Sequence, residues 1–263
     1  MKKPKIYFVS AGPGNPELLT VKALKILKKS DAVFYAGSLI NGDMLKVIKK
    51  NAVLIDMKSL DFQQIKEQLE NFLKKETRVC ANTISVLHAG DSSIYSAINE
   101  QMYYLKEAGI EYEIIPGVTA AFAASAANGS ILTLPGISQT VIFCRGEGRT
   151  GKIPEGQDIK SLASHRATMA IYLSFGSIES VVRDLAQYYP ENTPCLIGKD
   201  VSLKSELLIN CDLKDVVKNA KEFSVKNMAV LIVGYALEGK NFKENRSKLY
   251  DKNFSHMFRK GAV

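Results

Sequence analysis

Cysteine and histidine are scarce in this chain, and neither is patterned. Its 263 residues include four cysteines, Cys80, Cys144, Cys195 and Cys211, spread far apart with no CxxC pair. That spacing suggests neither a disulfide framework nor a zinc site. The three histidines, His88, His165 and His256, show no metal-ligand spacing either, so no protein-bound metal is expected. No apolar run approaches the roughly 18–20 residues that a membrane helix needs, which argues against a spanning segment. The N-terminus opens with lysines, but its short apolar stretch is interrupted by Gly12-Pro13-Gly14. It reads as the first strand of a cytoplasmic protein rather than as a secretion signal. Internal repeats and low-complexity segments are also missing.

What remains is ordinary globular material, with 46% apolar and 24% charged residues, long enough for one large domain or two of usual size. Lysine and arginine total 35 against 27 acidic residues, a formal charge of +8. Such a balance favours an anionic partner, whether nucleic acid, a membrane surface or a polycarboxylate metabolite. Much of the excess is lysine at helical spacing over residues 22–29, which reads as a solvated helix face.

Stretches rich in β-branched and aromatic residues alternate with helical patterns, the signature of an α/β fold. Strands are predicted over residues 6–9, 31–35, 53–56, 79–81, 86–87 and 112–115. A helix is expected after the first strand, with Asn15 as its cap, Pro16 in its first position and Val21, Leu24 and Leu27 on its buried face. Further helices are expected over 62–74, 94–105 and the alanine-rich 119–127. Five strands of a second sheet follow at 140–144, 168–173, 194–197, 205–209 and 228–233, with helices at 178–188 and 213–220. The resulting division is 1–115, 116–240 and a tail from 241 to 263.

Four loops could carry chemistry. Residues 11–15, Ala-Gly-Pro-Gly-Asn, follow the first strand and invite a dinucleotide reading. That motif needs a third glycine where this chain has Glu17, and a carboxylate there would repel a pyrophosphate, so NAD or FAD is disfavoured. The glycines serve either a tight turn or a close backbone approach to an uncharged part of a ligand. The second loop, His88 to Tyr95, joins a strand to a helix, at the place where open α/β sheets bind ligands. Asp91 in it is either a ligand contact or a helix cap. The third, residues 116–121, lies at the inferred domain junction, where Thr119 is either a contact or a cap. The fourth, residues 145–150, carries Arg145 and Arg149, which suit bidentate binding of carboxylate or phosphate or simply face solvent. The tail over 247–259 mixes Tyr250, Phe254 and Phe258 with Lys248, Asp251, His256 and Arg259 on no clean period. Such a segment either frays or docks on something.

Taken in order, SAGPGNPELLTVKAL, YAGSL, HAGDSSIYSAI, PGVTAA, LTLPGISQTVI and SKLYDKNFSHMFR resemble the tetrapyrrole methylases over essentially the whole chain. The arginine loop and the tail are similar to the branch that methylates C-11 of precorrin-4 or cobalt-precorrin-4 in cobalamin biosynthesis. The resemblance implies a two-domain α/β enzyme, usually a homodimer, with S-adenosyl-L-methionine in a cleft between the domains. Carried over by position, it places the cofactor against Pro13, Ala89, Gly90, Asp91, Ile94, Tyr95, Thr119, Ala120, Leu173, Met228 and Ala229. The substrate would be a polycarboxylate tetrapyrrole, with Arg145 and Arg149 as leading clamps and Arg166 and Arg259 behind them. Ala36 stands where the similar uroporphyrinogen-III methylases carry an acidic residue, so their proposed proton acceptor is not carried over. Ser92 stands where relatives often have proline, which questions the rigidity of that loop.

The implied reaction is attack of a ring carbon on a sulfonium methyl, which needs alignment and exclusion of water more than a covalent intermediate. No Ser/His/Asp or Cys/His set is present, and no catalytic base is assigned. The expected route uses the cobalt-containing substrate, with the metal-free substrate or another corrinoid position as the alternative. Rivals are diphthine synthases and rRNA ribose methylases within the superfamily, and a binding protein or dehydrogenase outside it. The SKLYD tail disfavours an rRNA enzyme and Glu17 disfavours a dehydrogenase. Stabilisation by S-adenosylhomocysteine rather than NADH would separate these readings.

Overall fold

A computed structural model of the chain describes residues 4–73, 82–147, 151–241, 245 and 247–261. They form two compact units: Met1–Ala123 together with Asp200–Glu206, and Ala124–Lys199 together with Leu207–Val263.

The first unit holds five parallel strands in the order β3-β2-β4-β1-β5. These are β1 (Lys5–Ser10), β2 (Ala32–Tyr35), β3 (Val53–Asp56), β4 (Thr83–His88) and β5 (Tyr112–Ile115). Helices α1 (Val21–Leu27), α2 (Gly42–Leu45), α3 (Phe62–Leu73) and α4 (Asn99–Glu107) connect them. The central strands are predominantly apolar because both faces are covered. Ile6, Phe8, Ile84 and Val86 pack under α3 and α4, whereas Val9, Val33 and Leu87 pack against Ala23, Ile26 and Leu27 of α1.

Several expectations are corrected here. The segment after β1 is not one helix. Asn15 caps a single 3₁₀ turn, Pro16–Leu18, by accepting from the Glu17 N–H at 2.9 Å, and α1 starts afresh behind Thr20, whose hydroxyl accepts from Ala23 at 3.2 Å. Val21 is 68% exposed, so the buried face of α1 is Ala23, Ile26 and Leu27. The helix expected from residue 94 starts only at Asn99, because Tyr95 sits in left-handed backbone (φ 54°) that no α-helix tolerates. Residues 86–87 belong to the longer β4, and the strand expected at 79–81 lies outside the described residues.

Helix α5 (Ala120–Ala127) leads into the second unit, whose sheet has the order β6-β7-β10-β8-β9. Its strands are β6 (Val141–Arg145), β7 (Thr168–Tyr172), β8 (Pro194–Lys199), β9 (Leu207–Asp212) and β10 (Ala229–Val233). Only β6 and β7 are parallel, the rest of the sheet being antiparallel. Helices α6 (Ile159–Ala163), α7 (Ile178–Leu185) and α8 (Val216–Glu222) cover a core that includes Met169, Ile171, Leu185, Ile197, Leu231 and Val233. The short α2 and α6 were not expected from sequence; each begins at a capping side chain, Asn41 and Asp158. In the tail, one guanidinium nitrogen of Arg259 donates to the carbonyls of Leu249 and Asp251 at 2.7 Å each and of Phe254 at 3.4 Å. Arg259 therefore organises the tail's own turns through that nitrogen. Tyr250, Met257 and Phe258 stay more than 80% exposed.

Candidate functional site

In the first unit the loops singled out from sequence all leave the carboxyl edge of the parallel sheet. Strand β1 lies between β4 and β5, so the loops that follow these three strands are neighbours by topology. Backbone joins them. Gly12 and Gly90 exchange N–H···O bonds of 3.0 and 2.7 Å, and the Ala11 N–H donates to the His88 carbonyl at 2.7 Å. Gly117 donates to the Asp91 carboxylate at 2.8 Å. A Cβ on Gly117 would stand 2.5 Å from the Ser10 Cβ and 2.8 Å from the Gly90 carbonyl oxygen, so only glycine allows this approach.

Asp91 is thereby explained locally. One carboxylate oxygen accepts from Gly117 and the other from the N–H and hydroxyl of Ser93. Burial opposes its ionisation, but these hydrogen bonds outweigh it and hold the carboxyl below its usual range. It is not the cap of α4, which begins eight residues later behind Ile98. Its role is to tie the loop after β4 to the loop after β5.

Ser92 answers the question of rigidity. Its N–H donates to the Ser10 hydroxyl at 2.9 Å, and the two hydroxyls lie 2.8 Å apart with both residues buried. Proline could make neither bond, so the chain here replaces ring stiffness with a hydrogen-bonded pair. The loop after β1 is held just as closely, since Asn41 donates from its side chain to the Gly14 carbonyl at 2.7 Å while capping α2. Sequence reading missed Ser10 and Asn41. A polar residue ending an otherwise apolar strand was the only available signal for Ser10, and Asn41 offered none.

What this edge presents outward is space and backbone. A Cβ on Gly90 would meet no heavy atom within 4 Å. Tyr95 is exposed in left-handed backbone, Ile94 is half-buried, and Thr119 is buried at the start of α5. Pro13, Ala89 and Ala120 are buried only in part or fringe the same loops. His88, beside them, is packed against Phe8 with ring centroids 6.1 Å apart. Burial pushes its imidazole down to about 4, and its Nε2 has no hydrogen-bond partner among the described residues.

In the second unit the register also gathers the flagged positions. Arg145 pairs with Tyr172, and Tyr172 with Val230, so Arg145, Leu173, Met228 and Ala229 share one edge of that sheet. Leu173 is 64% exposed, and both it and Met228 have a φ of 50°. Arg145 donates to the Gly151 carbonyl at 3.2 Å, bracing its own loop. Arg149 lies outside the described residues. Arg166 precedes β7, at the end of that strand opposite to Tyr172, the register partner of Arg145.

The three described cysteines do not suit nucleophile chemistry. Burial raises the thiols of Cys144 and Cys211 to about 12 and about 11, and that of Cys195 well above its usual value, so all three stay protonated. Among the described residues no three His, Cys, Asp or Glu side chains cluster as a metal site would. No helix there is long and apolar enough to cross a membrane.

Comparison with known proteins adds a consistent picture. The family model of tetrapyrrole (corrin/porphyrin) methylases matches residues 5–217. A cobalt-precorrin-4 C(11)-methyltransferase of Methanocaldococcus jannaschii is 41% identical over 257 residues, covering 97% of this chain and 96% of that protein. A precorrin-4 C(11)-methyltransferase of Pseudomonas aeruginosa is 36% identical over 256 residues, covering 97% and 99%. In three dimensions the chain is similar to the X-ray structure of a cobalamin biosynthetic enzyme, cobalt precorrin-4 methyltransferase. That match has a TM-score of 0.83 at 34% identity and covers 89% of this chain and 95% of the other.

Proposed function

This chain belongs to the tetrapyrrole (corrin/porphyrin) methylases, and we propose that it methylates C-11 of cobalt-precorrin-4 with S-adenosylmethionine in cobalamin biosynthesis. The observation that carries the reading is the 41% identity to a C(11)-methyltransferase along nearly the full length of both chains. The first unit fits a nucleoside-like donor. It offers an open face before Gly90, on loops drawn together at Gly117, and the Asp91 carboxylate is already engaged by Gly117 and Ser93.

When bound, S-adenosylmethionine supplies a methyl group already activated by its sulfonium, so the protein's work is alignment. Pro13, Ala89, Gly90, Asp91, Ile94, Tyr95, Thr119 and Ala120 hold the donor chiefly through loop backbone, with Asp91 acting by keeping two loops together. In the second unit Leu173, Met228 and Ala229 contact it. Arg145 and Arg149 bind carboxylates of the macrocycle, which gives the +8 balance its anionic partner. We also propose a cytoplasmic homodimer, checked by light scattering. The metal-free substrate is the second reading, favoured by the Pseudomonas aeruginosa relative. Incubation with labelled S-adenosylmethionine and each form of the intermediate, followed by NMR location of the new methyl, decides. Transfer to C-11 of the cobalt form is expected; transfer to another carbon, or none with either form, defeats the proposal.

A further inference from the structure

The tip of the β8–β9 hairpin, Asp200–Glu206, groups with the first unit and not with the strands that carry it. There it meets one peptide bond. The Asn15 N–H donates to the Ser202 hydroxyl at 2.9 Å, while the carbonyl of the same peptide, on Gly14, accepts from Asn41 at 2.7 Å. Both polar ends of the Gly14–Asn15 peptide are therefore held by side chains far apart in sequence. Leu203 closes against Gly14, whose φ of 148° and lack of a Cβ leave room for it; a Cβ there would overlap the leucine side chain.

The tip is itself built to present that hydroxyl. Asp200 (φ 50°) and Ser202 (φ 68°) both occupy left-handed backbone, which costs about 1–3 kcal/mol per non-glycine residue. The Ser202 N–H donates to the Glu206 carboxylate at 2.6 Å, and Leu203 donates to the Asp200 carbonyl at 2.9 Å. Neither strained residue ends a helix, so helix termination does not explain them. A glycine-flanked peptide with nothing on its polar ends would rotate easily, and the loop that includes Pro13 would lose its shape.

We propose that Ser202 is a positioning residue for methyl-donor binding, fixing the Gly14–Asn15 peptide so that the loop after β1 meets the donor preformed. The inference rests on the methyl-donor reading above and extends it to a segment which the resemblance leaves without a role. It is tested with Ser202→Ala and Ser202→Gly in the full-length protein. Both remove the hydroxyl, but Ser202→Gly also relieves the left-handed backbone and should melt no lower than the parent. Each variant is expected to bind S-adenosylhomocysteine roughly two- to tenfold more weakly by calorimetry, the range one hydrogen bond supplies. The loss should fall on the KM for the donor rather than on kcat, and the Asn15 amide should exchange faster by a similar factor. Unchanged affinity and unchanged Asn15 exchange in Ser202→Gly, with the parent binding normally, overturn the latch alone. Failure of the parent to bind S-adenosylhomocysteine overturns the methyl-donor reading and the latch's role in it together.

Discussion

Replacing Gly90 by alanine tests whether the open face at the sheet edge belongs to the donor. A Cβ there meets no heavy atom within 4 Å, so the folded loop has room for it. Its φ of 69° makes an L-residue cost roughly 1–2 kcal/mol. In a chain of this size that lowers Tm by about 2–8 °C. The paired hydrogen bonds to Gly12 hold the loop in place, so the added methyl projects into the space that the donor would fill. Crowding a fitted site by one methyl costs about 1–3 kcal/mol, which corresponds to roughly 5- to 150-fold in affinity. Calorimetric titration with S-adenosylhomocysteine, run beside a thermal scan, reads both quantities. Gly117→Ala is the contrast. Its Cβ would collide with the Ser10 side chain and the Gly90 carbonyl, so stability should fall by about 3 kcal/mol or more. Wild-type affinity in a folded Gly90→Ala protein would show that this space is not the donor's, and the reasoning would fail.

Other outcomes follow from the same geometry. Because burial lowers the His88 pKa to about 4 from 6.5, the unfolded chain binds the extra proton between those values, and stability falls as pH drops through that window. The slope approaches about 1.4 kcal/mol per pH unit, and His88→Leu should flatten the decline of Tm between pH 6.5 and 5. Ser92→Pro removes a donor from the buried Ser10 hydroxyl and should lower stability by about 1–3 kcal/mol in urea unfolding. An unchanged midpoint would mean the serine pair contributes nothing. Arg145→Ala should raise the KM for the macrocycle while leaving S-adenosylhomocysteine affinity nearly unchanged in calorimetry. Equal loss of both would remove Arg145 from its clamping role.

The fold was legible where the chain follows simple periodicity. Strands at 53–56 and 112–115 match their observed limits, and all five strands of the second sheet lie near their expected places, because buried strands announce themselves by composition. Errors arose where a single residue overrode the pattern. Tyr95 stops a helix that the apolar spacing of residues 94–105 favours, and Thr20 restarts one that Asn15 and Pro16 seemed to begin. The loops of the candidate site were visible through their glycines, but the side chains that fix them were not. Ser10 with Ser92 and Asn15 with Ser202 are separated by 82 and 187 residues, and no local signal spans such distances.

The distribution of backbone strain gives these loops a common meaning. Among the described residues seven non-glycines have positive φ. Ser224 directly follows the C-cap of α8, and Arg166 closes the turn after α6 by donating to the Ala163 carbonyl, places where a left-handed residue ordinarily ends a helix. Tyr95, Leu173, Asp200, Ser202 and Met228 end no α-helix, so their cost has to be met by something else. Three of those five are positions at which the family resemblance puts the donor, and the other two form the tip that grips the Gly14–Asn15 peptide. A site assembled from backbone groups needs unusual backbone angles more than particular side chains. On the proposed reading, Ala89, Leu173 and Met228 would serve through their backbone, which is why as residue types they look chemically silent.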